Sequence, residues 1–133
     1  MTLYTASMSA PPSTNDGLRI CIMRDPRIYN RHQKKFQQKH GRAMYDKHLK
    51  ALAPSEELKN AYKSGGLRWE DYEPRFQEEV LERASETLRA LAKVAMLTDI
   101  TLLCSEKTPD RCHRRLVAEE CARLVPDLEV IVR

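Results

Sequence analysis

Ile100-Thr101-Leu102-Leu103-Cys104-Ser105-Glu106-Lys107-Thr108-Pro109-Asp110-Arg111-Cys112-His113-Arg114-Arg115 decides the fold class of this chain. Its first five residues form an apolar run broken only by a threonine, short and bounded by turn residues, which is the pattern of a strand buried on both faces of a parallel sheet. Ser105 to Thr108 supplies a turn. Thr108 reads as a helix N-cap, and Pro109 takes the first helical position, where its missing N–H has no helical partner to lose. The following helix turns Leu116, Val117, Cys121 and Leu124 inward, and after Pro126-Asp127 a final strand runs from Leu128 to Val132. Strand, helix, strand at these lengths is a βαβ unit. The expected architecture is therefore α/β, a Rossmann-like three-layer sandwich with a mostly parallel sheet.

Working outward, Leu3-Tyr4-Thr5 and Leu18 to Met23 read as two further strands, separated by the Pro/Ser/Thr/Asn/Asp/Gly-rich turn at Pro11 to Gly17. Ser55 is a good N-cap with Glu56 and Glu57 at the positive end of a helix that passes Leu58 and Tyr62 and stops at Gly65-Gly66. A longer helix carries Tyr72, Phe76, Val80, Ala84, Leu88, Leu91 and Ala95 at spacings of three and four, with Pro74 tolerable only near its first turn. Trp69 and Tyr72 read as packing residues at the start of this helix rather than as stacking platforms.

The chain has 133 residues, 41% hydrophobic and 32% charged, which suits a single α/β domain over 1–133 and excludes a disordered or membrane-spanning class. Four cysteines (Cys21, Cys104, Cys112, Cys121) are too few and too irregularly spaced for a disulfide scaffold, so the expected setting is reduced and cytoplasmic, with no membrane partner. Charge is segregated. Residues 24–50 hold nine Lys/Arg against Asp25 and Asp46, whereas residues 51–90 hold nine acids against six Lys/Arg. The basic stretch reads as an exposed excursion with a helix near Arg31 to Lys39; it can meet nucleic acid, another acidic partner or the acidic segment of its own chain.

The densest chemistry lies between Cys104 and Arg115, at the carboxyl end of a buried strand where open α/β sheets place ligands. Cys104 and Glu106, two apart on extended chain, point the same way. Cys112, His113 and Arg114 fall in the first helical turns, where free N–H groups favour anions and a lowered thiol pKa. A Cys-to-Arg phosphate loop is rejected, because six residues separate Cys104 from Arg111, one more than such loops carry, and none is glycine. Cys104, Cys112, His113 and Glu106 are the right types for zinc, but no Cys-x-x-Cys pair is present and no metal is assigned. Cys112 can act as a nucleophile assisted by His113 or Glu106. A purely structural arrangement pairs Glu106 with Arg114 and packs His113 at the sheet edge. Cys21 and Cys121 read as core residues.

Cys104-x-Glu106-Lys107 followed by Cys112-His113-Arg114 resembles the signature of the domain of unknown function 488 (DUF488) family. Tyr4-Thr5-Ala6-Ser7, Arg24-x-Pro26, Leu52-Ala53-Pro54-Ser55 and Tyr72-x-x-Arg75-Phe76 resemble the family in the same order, so the likeness covers most of the chain. It implies a compact α/β cytoplasmic protein with a polar site at the strand-to-helix turn, and names no reaction or cofactor. Tyr29 to Lys50 departs from it by being longer and more basic.

Two functional classes follow. In the first, an enzyme or binder of a small anionic or nucleotide-like ligand, Arg24 and Arg114 hold the anion with Cys104 beside it. Glu106 and His113 exchange protons there, and Cys112 is the nucleophile. In the second, residues 24–50 form a nucleic-acid-binding module. Glu106 is expected to be partly buried and bonded to Arg114, His113 or backbone amides, so that Glu106→Ala costs about 1–3 kcal/mol.

Overall fold

A computed structural model describes residues 1–133. In chain order the elements are β1 (Thr2–Ser7), β2 (Leu18–Cys21), α1 (Arg27–Asn30), α2 (Gln33–His40), β3 (Lys47–His48), α3 (Glu56–Lys63), α4 (Trp69–Phe76), α5 (Ser85–Ala95), β4 (Ile100–Cys104), α6 (His113–Leu124) and β5 (Glu129–Ile131). All strand pairs are parallel, in the order β3-β2-β4-β1-β5, so β4 lies in the middle of the sheet. All five of its residues are buried, as the apolar run requires.

Period-two alternation divides the sheet into two faces. Ile100 and Leu102 share one face with their register partners Leu3, Leu18 and Ile20. They form the main core with Leu58, Tyr72, Phe76, Leu88, Val117 and Cys121 from α3 to α6. On the other face Leu103 and Cys21 pack with Met8 and Met44, and Tyr29 of α1 and Phe36 of α2 close over them. Helices on both faces of a parallel sheet make the three-layer α/β sandwich.

The second face also carries buried charge. Arg19 and Asp16 are each 1% exposed and bonded at 2.6 Å, and the Arg19 Nε–H also donates to the Met44 carbonyl. Burial opposes the Asp16 charge, but the Ser13 amide and the Arg133 and Arg19 guanidiniums outweigh it and hold the carboxyl below its ordinary pKa. Asp46 accepts from the Arg19 amide and from Arg42, while its own N–H donates to the Arg19 carbonyl. The basic excursion is therefore sewn to β2 and supplies the edge strand β3. Its helix falls at Gln33–His40 with no buried residue, ended by Gly41 at φ 73°, a left-handed cap.

Two local expectations are corrected. The long amphipathic helix is three pieces: α4, a π-helical turn at Gln77–Leu81 and α5. Pro74 lies well inside α4, where it cannot donate to Glu70, and the next turn widens, with the Glu82 N–H reaching back to Gln77. The last helix starts at His113 rather than Pro109, because Cys112, at φ −137° and ψ 139°, is extended and serves as its N-cap. Ser55 caps α3 as expected, accepting from the Leu58 N–H at 3.1 Å.

Gly17 enters β2 at φ 63°, and a Cβ there would stand 2.0 Å from the Asp99 carbonyl oxygen. That oxygen accepts from the Leu18 N–H, so neither backbone can retreat without breaking the strand start. Gly17→Ala is expected to lower stability by about 2–4 kcal/mol, read from the urea midpoint.

Candidate functional site

The carboxyl end of β4 opens into a cleft of about 190 Å³. Cys104, Ser105, Cys112 and His113 form its floor, Trp69, Tyr72 and Tyr62 one wall, and Met23, Arg24 and Ile28 the side beyond β2. Lys59, Lys63 and Arg111 stand with Arg24 around it, four cations against the two acids Asp25 and Glu106. Arg24 and Lys59 share Glu56, at 3.0 and 3.9 Å, and Asp25 holds Arg27. Lys63 and Arg111 have no acid partner.

The floor is set by His113. Its Nε2 lies 2.7 Å from the carbonyl oxygen of Ile22, which can only accept, so Nε2 carries the proton. The ring is pinned further by Phe76, 5.6 Å away between centroids. Nδ1 is left facing Cys104 Sγ at 3.5 Å. A chain of aromatic contacts leads from Trp69 through Tyr72 to Phe76, with near-parallel rings 4.9 and 5.8 Å apart. Trp69 is fixed at both ends: its indole N–H donates to Glu73, which also holds Arg115. Both Trp69 and Tyr72 are core members, in keeping with their reading as packing residues, and they present only part of their surface to the cleft.

Beneath the floor lies Arg114, with 0% exposure. Its Nη1 donates to the Glu106 carbonyl at 2.8 Å and to Cys112 Sγ at 3.3 Å, and its Nε donates to the Arg133 carbonyl. Nη2 has no partner, and no Asp or Glu side chain pairs with this guanidinium. The Cys112 sulfur touches it directly and Cys104 lies beside Cys112. The two thiols respond oppositely. The hydrogen bond from Cys112 holds Cys104 below the ordinary thiol pKa, helped by the Ser105 and Glu106 amides and the charge of Arg114 against the penalty of burial. Cys112, beside Cys104 and itself buried, is pushed well up. Burial raises the core thiols Cys21 to about 11 and Cys121 to about 12.

These placements change several roles. Cys104 is held below the ordinary thiol range and Cys112 above it, while the Arg114 guanidinium touches the Cys112 sulfur. Arg114 does not line the cleft and cannot hold a ligand there, because the loop 105–112 folds over it. Glu106 is exposed and its carboxylate has no partner; Arg114 binds the backbone carbonyl of Glu106 instead. Arg24, Cys104, Glu106, Cys112 and His113 do share the cleft. Lys59, Tyr62 and Lys63 were not legible as site residues, although their spacing places them on one side of α3, and Arg111 was visible only through the rejected phosphate loop. Cys104, Cys112 and His113 offer donor atoms within 4.8 Å of one another.

A family model described as "Active DUF488-N3 subclade" matches residues 3–123. No curated protein and no solved structure matches the chain.

Two substitutions separate the roles of the loop and the guanidinium. Glu106→Ala keeps the carbonyl that Arg114 uses and is expected to change stability by less than about 0.5 kcal/mol. Arg114→Met leaves two main-chain oxygens and the Cys112 sulfur without their donor and is expected to cost about 3 kcal/mol. Urea titration of both variants checks the contrast, which reverses the expectation drawn for Glu106 from sequence.

Proposed function

The chain belongs to the DUF488 family, and on that footing we propose that the cleft at the carboxyl end of β4 takes a small anionic, nucleotide-like ligand on which the Cys104 thiolate acts as nucleophile. The observation that carries this reading is the 3.5 Å approach of Cys104 Sγ to Nδ1 of a tautomer-fixed His113 on the floor of a cation-rimmed cleft. Sulfur attacks an electrophilic centre of the ligand, and the leaving group departs with its electron pair. Nδ1, free to take a proton, then activates the water that releases the ligand from sulfur. Glu106, at the mouth, is placed to exchange protons with the outer part of the ligand. Lys63 and Arg111 meet its negative charge, and the edges of Trp69 and Tyr62 meet an aromatic or sugar portion.

Alkylation tests the nucleophile. In the native protein at pH 7, iodoacetamide is expected to label Cys104 at least about tenfold faster than Cys21, Cys112 or Cys121. The rate falls as pH drops through the lowered Cys104 pKa, because the thiol form does not react. The same sign holds for stability: the thiolate's contribution is complete above the unfolded thiol's pKa and is lost as pH falls through the folded value. Nucleoside monophosphates, unlike uncharged nucleosides, are expected to protect Cys104. Slow labelling of Cys104, or labelling indifferent to pH, overturns the reading.

A second reading, nucleic-acid binding by residues 24–50, rests on a different observation. Arg24, Arg27 and Arg42 are engaged by acids of the chain, but Lys34, Lys35 and Lys39 of the exposed α2 form no ion pair. Fluorescence anisotropy with single-stranded and duplex oligonucleotides is expected to show affinity falling steeply with salt if this face binds phosphates. No binding at low salt removes it.

A further inference from the structure

Cys112 has no part in the chemistry just proposed, yet it is 2% exposed, lines the cleft floor and holds its sulfur within 4.8 Å of both Cys104 Sγ and the His113 ring. A cap for α6 needs no thiol; serine or aspartate caps better. The two sulfurs sit at opposite ends of residues 105–111, a run of bends and turns without helix or strand, with Glu106, Lys107 and Thr108 exposed. That loop can shift far more readily than β4 or α6. Cys21 and Cys121, by contrast, are each 0% exposed in separate parts of the core, Cys21 in the minor cluster and Cys121 in the main one.

We propose that Cys112 is the resolving thiol of Cys104, so that a peroxide entering the cleft closes a reversible Cys104–Cys112 disulfide. The inference rests on the reading of Cys104 as the cleft thiolate. In the first step Cys104 sulfur attacks one oxygen of hydrogen peroxide. An S–O bond forms, the O–O bond breaks, the departing hydroxide takes up the proton that Cys104 released on ionising and becomes water, and the sulfur is oxidised to a sulfenic acid. In the second, Cys112 gives up its proton and its sulfur attacks Cys104 Sγ. The S–S bond forms as the S–O bond breaks, and the oxygen leaves as a second water after taking that proton. Two thiols and one peroxide thus yield one disulfide and two waters. A small-molecule thiol restores both cysteines by exchange. His113 Nδ1, 3.5 Å from Cys104 Sγ, stands where a proton must move in each step. Cys112 holds its proton more firmly than Cys104 in the resting site, which keeps the partner thiol in reserve until Cys104 has been oxidised. The disulfide removes the nucleophile from the cleft and protects it from irreversible oxidation.

The full chain is treated with stoichiometric hydrogen peroxide, free thiols are blocked, and peptides are mapped by mass spectrometry with and without dithiothreitol. The expected product in the unmodified protein is a Cys104–Cys112 cross-link that dithiothreitol reverses, with little Cys104 trapped by dimedone. In Cys112→Ser, which keeps a capping side chain, the cross-link is absent and the dimedone adduct at Cys104 rises at least severalfold. Dimedone labelling or over-oxidation of Cys104 in the unmodified protein without a cross-link overturns the resolving role while leaving the thiolate reading intact. If peroxide and iodoacetamide both leave Cys104 untouched, the thiolate reading fails and this proposal with it. A cross-link joining Cys21 or Cys121 instead also overturns it.

Discussion

A guanidinium with no exposed surface governs the site. Arg114 is held by the Glu106 carbonyl, a main-chain oxygen of Arg133 and the sulfur of Cys112. Burying a cation in this way costs several kcal/mol unless negative charge is near. Cys112 contacts the guanidinium and lies within 4.8 Å of the Cys104 sulfur, so one thiol stands between Arg114 and the other. The loop 105–112 wraps over the same guanidinium, which ties the shape of the cleft floor to its electrostatics.

The sheet separates two kinds of buried polarity. On the main-core face an apolar mass of helices surrounds one polar spot, the Cys104–Cys112–His113 group at the strand end, with Arg114 below. On the other face Asp16, Arg19, Arg133 and Asp46 form a network in which opposite charges meet directly, at 2.6 to 2.9 Å for Asp16 with Arg19 and Arg133. That network balances itself and fastens the basic excursion to β2; it has no cause to shift a nucleophile. The cleft network instead gathers thiols and an imidazole around a buried guanidinium. No helix in the chain is long and apolar enough to cross a membrane.

The strand order follows from the same division. β4 is inserted between β2 and β1, so its carboxyl end is flanked by the end of β2, which supplies the Ile22 carbonyl, and by the end of β1, which places Ser7 opposite Cys104. A central strand brings the largest number of neighbours to one point, and Cys104 occupies that point. The segment 51–76 then closes the cleft from outside, with α3 contributing cations and α4 the aromatic wall.

The family was legible as a resemblance of motifs spread along the chain, whereas local patterning by itself determined the parallel α/β architecture, the buried β4, the Ser55 cap, and the position of the cysteine, histidine and arginine cluster at the β4–α6 turn. Each of these depends on residues within a few positions of one another, where periodicity and turn chemistry are encoded directly. The break of the long helix into α4, a π turn and α5 was half legible, through Pro74. The surroundings of each thiol, the burial of Arg114, the exposure of Glu106 and the cationic wall of α3 were decided only by tertiary structure. The bond that fixes the His113 tautomer joins residues 91 positions apart. Ionisation depends on which charges and dipoles lie within a few ångströms, and sequence spacing does not record that distance once the chain has folded back on itself.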